Sequence, residues 1–168
     1  MAGFSLARRR FFGAQVGGRP AVLRPPWAKV ERDFLDHCDR GAECVKACPT
    51  GVLAVGAGGH PVLRFSGGEC TFCGLCVDAC PSGALFRDKE GAAPWALVPR
   101  ISEACVAYKK VECRICAEAC DARAIRFQLQ AGSVAQPVVE GSQCSGCGAC
   151  VAPCPTDAIT LEMDSADS

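Results

Sequence analysis

The chain has 168 residues, with 18 basic and 18 acidic side chains, 7% aromatic residues and fifteen cysteines. Zero net charge and so few aromatics argue against a nucleic-acid reader, which needs a basic surface and stacking platforms. Fifteen cysteines in so short a chain mark a disulfide scaffold or a metal-loaded protein, because modules of about sixty residues bury too little apolar surface to stand without a staple.

Taken in chain order, residues 1–30 carry six basic residues (Arg8, Arg9, Arg10, Arg19, Arg24 and Lys29) and no acid. Arg8–Arg10 followed by Phe11 and Phe12 resembles a twin-arginine export motif. The apolar run that a signal peptide needs is replaced by Gly13, Gly17, Gly18, Pro20, Pro25 and Pro26. No apolar stretch is long enough to span a membrane, and the expected location is the cytoplasm. The segment reads as a solvated tail or, alternatively, as a docking arm for a partner.

Four copies of one unit follow. Cys48-Pro-Thr-Gly-Val-Leu, Cys80-Pro-Ser-Gly-Ala-Leu, Cys120-Asp-Ala-Arg-Ala-Ile and Cys154-Pro-Thr-Asp-Ala-Ile align without gaps. His60–Leu63 precedes Cys70, as Gln136–Val139 precedes Cys144, so each half joins two cysteine units through a hairpin-like segment. The expected class is α+β, with two tandem dicluster ferredoxin-like modules over residues 31–92 and 93–163. They are flanked by a basic extension over 1–30 and a tail over 164–168. Residues 62–65, 84–87, 124–129 and 158–162 have strand character. One helical turn is expected at each of residues 44–47, 76–79, 116–119 and 150–153. Gly51, Gly74, Gly83, Gly146 and Gly148 punctuate the loops, either as plain turns or where backbone passes close to an inorganic core. The segment 88–94 is the expected linker.

The second unit, Cys70-x₂-Cys73-x₂-Cys76-x₃-Cys80-Pro81, and the fourth, Cys144-x₂-Cys147-x₂-Cys150-x₃-Cys154-Pro155, match the bacterial ferredoxin run, whose fourth cysteine serves the neighbouring cluster. Zinc wants four ligands on one tetrahedron, usually as two separated pairs. Disulfides need an oxidising compartment. The spacing therefore points to iron–sulfur clusters. The exchange rule predicts one site from Cys70, Cys73, Cys76 and Cys48, another from Cys105, Cys113, Cys116 and Cys154, and a third from Cys144, Cys147, Cys150 and Cys120. In the first unit Gly41 stands in the second cysteine's place, which leaves Cys38, Cys44 and Cys80. That site could hold a [3Fe-4S] cluster, a [4Fe-4S] cluster completed by water, Asp39, Glu43 or His37, or a labile or empty place. No nucleophile motif, phosphate loop or nucleotide fingerprint is present, so an enzyme acting on a small substrate is not expected.

Arg24-Pro25-Pro26-Trp27, Phe34-Leu35-Asp36-His37-Cys38 and Ala104-Cys105-Val106-Ala107-Tyr108 leading to Val111-Glu112-Cys113 resemble NapF, the family of ferredoxin-type accessory proteins of periplasmic nitrate reductase systems. The likeness runs from about Leu6 to Glu162, and Gly41 departs from it. The resemblance implies [4Fe-4S] cofactors and a cytoplasmic role in maturing the reductase catalytic subunit before export, by electron or cluster delivery. That subunit is then the expected partner. A general electron-transfer ferredoxin is the alternative.

Overall fold

The computed structural model describes residues 22–87 and 94–163. The basic run Arg8–Arg10, the interior of the expected linker (residues 88–93) and the tail at 164–168 lie outside the described residues. The elements are short, as spacing between cysteine-rich turns demands: helices α1 (Glu31–His37), α2 (Glu43–Lys46), α3 (Leu75–Asp78) and α4 (Ile115–Glu118), and strands β1 (Leu53–Val55), β2 (Pro61–Leu63), β3 (Leu97–Ile101), β4 (Ile125–Gln128), β5 (Gln136–Val139) and β6 (Ile159–Met163). All strand pairs are antiparallel: β1 with β2, β4 with β5, and β3 with β6.

The two halves repeat one plan. Each places a hairpin directly after its first exchange cysteine, with Leu53 opposite Leu63 in one and Ile125 opposite Val139 in the other. Each then closes with a ladder between its own first and last segments. In the second half that ladder is β3–β6, five residues long with Leu97 opposite Met163. In the first it shrinks to a single bridge between Ala28 and Leu85. Two bonds flank it, Lys29 N–H to the Ala84 carbonyl at 3.1 Å and Phe86 N–H to the Trp27 carbonyl at 2.9 Å.

The described residues 23–30, placed by the sequence in the basic extension, pack against the first module. Arg24 explains why. Its guanidinium bonds both carboxylate oxygens of Glu31 at 2.9 and 2.6 Å and the Pro61 carbonyl at 3.2 Å. It also lies 4.9 Å from the centroid of the Phe34 ring. One side chain thus ties the entering segment to α1 and β2, and charge-assisted bidentate bonds of this kind are the strong ones. Phe34 is the residue α1 buries, at 0% exposure.

Two other expectations change. The turn expected at residues 150–153 forms no helix, and Pro153 supplies no amide there to bond backwards. The strand expected over 84–87 is only the bridge at Leu85.

The cysteines are part of the core. Cys44, Cys70 and Cys76 are buried with Phe34, Val52, Leu53, Leu63, Phe65, Ala84 and Leu85, and that cluster continues into Leu97 and Leu161 of the second half. A smaller one holds Cys116, Ile125, Cys150 and Ile159. The halves meet through backbone as well: Cys70 N–H donates to the Cys147 carbonyl at 2.8 Å. Gly148 lies against the Phe65 ring and Gly146 against Trp95. Trp95 meets Phe65 edge-on at 6.5 Å and Phe72 at 5.7 Å between ring centroids.

Four thiol-rimmed cavities

The runs fold around their cysteines through paired left-handed residues. Arg40 and Ala42, Phe72 and Gly74, and Gly146 and Gly148 all have positive φ, so in each of these runs the chain turns four and two residues before its third cysteine. The third unit differs. Its long first gap is taken up by consecutive turns from Cys105 to Lys110 before Cys113.

The result is four cavities. One is lined by Cys48, Cys70, Cys73 and Cys76, with an open volume of 330 Å³. A second, of 340 Å³, is lined by Cys105, Cys113, Cys116 and Cys154. A third, of 320 Å³, takes Cys120, Cys144, Cys147 and Cys150. The fourth, of 300 Å³, is lined by Cys38, Cys44 and Cys80, with Asp39, Ala42 and Glu43 in its wall. The grouping follows the exchange expected from the spacing, each fourth cysteine crossing to its partner unit. His37 does not line the last cavity; its Nδ1 lies 2.7 Å from the Asp33 carbonyl within α1.

All fifteen cysteines are free thiols, which removes the disulfide reading. Among the described residues no group of three or more His, Cys, Asp or Glu side chains converges on a single metal ion. Thiols that rim a common apolar cavity without converging on one point fit a polynuclear cluster and not a zinc ion. The wall adds a second sign of fit. Trp27 lines the Cys48–Cys70–Cys73–Cys76 cavity, and its buried indole N–H has no partner among the described residues. A cluster bound there would bring sulfur acceptors beside the Trp27 side chain.

Two groups of thiols are shifted in opposite directions. The third cysteine of every run is buried. Burial, reinforced by neighbouring thiols, pushes Cys44 and Cys116 up to about 11 and Cys76 and Cys150 up to about 12. These thiols hold their protons until positive metal enters. At the exchange cysteines burial also works upward, but hydrogen bonds outweigh it and hold Cys48 and Cys80 below the usual thiol range. For Cys48 the Thr50 hydroxyl at 3.6 Å leads; for Cys80 the Leu85 N–H at 3.5 Å leads, followed by the Ser82 hydroxyl at 3.5 Å. Ala124 N–H and Ala158 N–H reach Cys120 and Cys154, each at 3.3 Å. Thr156 repeats the hydroxyl at 3.9 Å from Cys154, while Ala122 stands in that place after Cys120. Sequence reasoning passed over these hydroxyls, although Cys-Pro-Thr/Ser occurs three times.

A family model for the 4Fe-4S dicluster domain matches the chain twice, over residues 36–84 and 111–158. Fold and cavities together define an iron–sulfur protein of the dicluster ferredoxin class. The ferredoxin-type protein NapF of Escherichia coli strain K12 is 44% identical over 140 residues, covering 83% of this chain and 84% of the relative. That of Haemophilus influenzae is 46% identical over 140 residues, covering 83% and 78%. The methylamine utilization ferredoxin-type protein MauM of Paracoccus denitrificans is 34% identical over 170 residues, covering 92% and 75%. The chain belongs to the NapF family of ferredoxin-type proteins. Among the described residues no helix is long and apolar enough to cross a membrane.

Proposed function

We propose that the chain is a cytoplasmic maturation factor that binds the catalytic subunit of a periplasmic nitrate reductase before its export and passes it electrons or cluster components. Three [4Fe-4S] clusters would be held by Cys48/Cys70/Cys73/Cys76, Cys105/Cys113/Cys116/Cys154 and Cys120/Cys144/Cys147/Cys150. A fourth cluster, short of one thiolate, would sit at Cys38/Cys44/Cys80. Bound clusters supply one-electron chemistry. The protein's own part is to desolvate the central thiolates and to donate hydrogen bonds to the exchange cysteines, the contacts that set cluster potentials.

The observation that carries the reading is a thiol-rimmed cavity set in a chain that matches NapF relatives over most of their length. The test is anaerobic co-purification of the cluster-loaded chain with the precursor of the reductase catalytic subunit. A complex is expected with the immature subunit and not with the mature one. Equal binding to both, or to neither, would overturn the maturation role.

One observation favours a second reading, a general electron carrier. Cys70 and Cys147 line different cavities yet share a backbone hydrogen bond, which brings the inner sites of the two halves together as electron hopping requires. Rapid reduction by a cytoplasmic donor, without capture of the precursor, would select it.

A further inference from the structure

The cavity at Cys38, Cys44 and Cys80 can be compared with its three siblings position by position. The residue after the first cysteine touches the cavity wall in every unit: Asp39, Thr71, Val106 and Ser145. Only the unit that lacks its second cysteine has a carboxylate there. The loop around Gly41 keeps the left-handed residues Arg40 and Ala42 found on either side of the second cysteine elsewhere, and Gly41 itself has no positive φ. A Cβ built on Gly41 would lie 3.5 Å from Asp39 Oδ1 and 3.8 Å from both Cγ and Oδ2. The carboxylate thus lies in contact with the place the Cβ of a cysteine at 41 would take.

The rival groups are engaged elsewhere. Glu43 Oε1 accepts from Lys46 Nζ at 2.8 Å, and His37 is bonded within α1. Asp39 Oδ1 accepts the Gly41 N–H at 3.1 Å, and its other oxygen has no partner among the described residues.

We propose that Asp39 is the fourth ligand of this site, its carboxylate taking the corner iron that a cysteine would otherwise hold, and that this corner is where iron leaves and re-enters the protein. The inference rests on the reading that this cavity holds a cluster. A carboxylate is a hard oxygen donor and grips an iron–sulfide core less well than thiolate does. A one-electron oxidant then takes one electron from the [4Fe-4S]²⁺ core. The iron–carboxylate bond and the corner's bonds to sulfide break, Fe²⁺ departs, and [3Fe-4S]⁺ remains on Cys38, Cys44 and Cys80. Supplying Fe²⁺ and one electron reverses the step.

The test uses the full chain, purified anaerobically and titrated with ferricyanide, with iron analysis and electron paramagnetic resonance as readouts. Asp39→Asn keeps the acceptor for the Gly41 amide but removes the anionic ligand. Wild type should release about one iron of about sixteen as the three-iron signal grows. Asp39→Asn should release that iron and reach the full three-iron signal at less added ferricyanide than wild type needs, and Gly41→Cys should abolish it. Adding Asp39→Asn to Gly41→Cys should change nothing, because a purely structural role for Asp39 would act in both backgrounds. If Asp39→Asn behaves as wild type while Gly41→Cys still abolishes the signal, a cluster is present and Asp39 does not hold it. If no variant gives a three-iron signal and wild type carries about four irons fewer than Gly41→Cys, the cavity holds no cluster and the underlying reading falls.

Discussion

The two halves of the molecule share a plan and differ in what they have let go. The first half has lost the second cysteine of its first run and keeps only a bridge where the second half has the five-residue β3–β6 ladder. It replaces that ladder with the side chain of Arg24, bonded to Glu31 and Pro61. Yet the loop at Gly41 follows the same left-handed course as the loops around Cys73 and Cys147. The backbone of a ligand loop is thus set by its turn residues and by the hairpin behind it, and not by any one ligand. A cysteine can vanish and the cavity survives.

The largest way to break the comparison lies at the seam. A side chain at Gly148 collides with the Phe65 ring, and φ there is +82°. Gly148→Ala should cost about 3 kcal/mol by overpacking and left-handed strain together. Gly51→Ala, with φ +68° and open space around it, should cost only about 1 kcal/mol. Anaerobic thermal unfolding of both variants measures the difference, and equal losses would remove the seam from the account. Next comes Trp27→Phe. Removing the unpartnered indole N–H should lower the potential of the Cys48–Cys70–Cys73–Cys76 site by tens of millivolts and leave the other sites alone. A redox titration followed by electron paramagnetic resonance reads this, and an unshifted potential would return Trp27 to simple packing. The smallest effect concerns Ala42, which holds φ +60° where the sibling loops have Gly74 and Gly148. Ala42→Gly should raise stability by about 0.5 kcal/mol, strain relief being partly offset by unfolded-chain entropy.

Much of this was legible in the cysteines. In the runs at Cys70 and Cys144 two-residue spacing lets three cysteines share one cavity, and each cavity takes one more from the partner unit. The helical turns at Cys44, Cys76 and Cys116 were legible for the same reason. Helix α1 was not. It buries only Phe34 and has no capping side chain, so it offers neither a periodic stripe nor a start signal. Nor could local pattern show that Arg24 reaches Glu31 and Pro61, or that Gly146 and Gly148 are small because Trp95 and Phe65 lie on them. Those are contacts between segments far apart in the chain. The placement of Asp39 needed both: the missing cysteine is a fact of sequence, and the carboxylate beside its place is a fact of structure.

The hydrogen bond from Cys70 to the Cys147 carbonyl has one more consequence. Its donor and acceptor are the main chains of two ligand-bearing loops, one in each half. A loop that tightens around its occupant therefore presents a better-ordered partner to the loop opposite. Coupling of this kind is reciprocal: whatever occupancy of one inner site does for the other is returned in equal free energy. Occupancy of the inner pair should then be cooperative, with empty and doubly filled molecules outnumbering the half-filled ones.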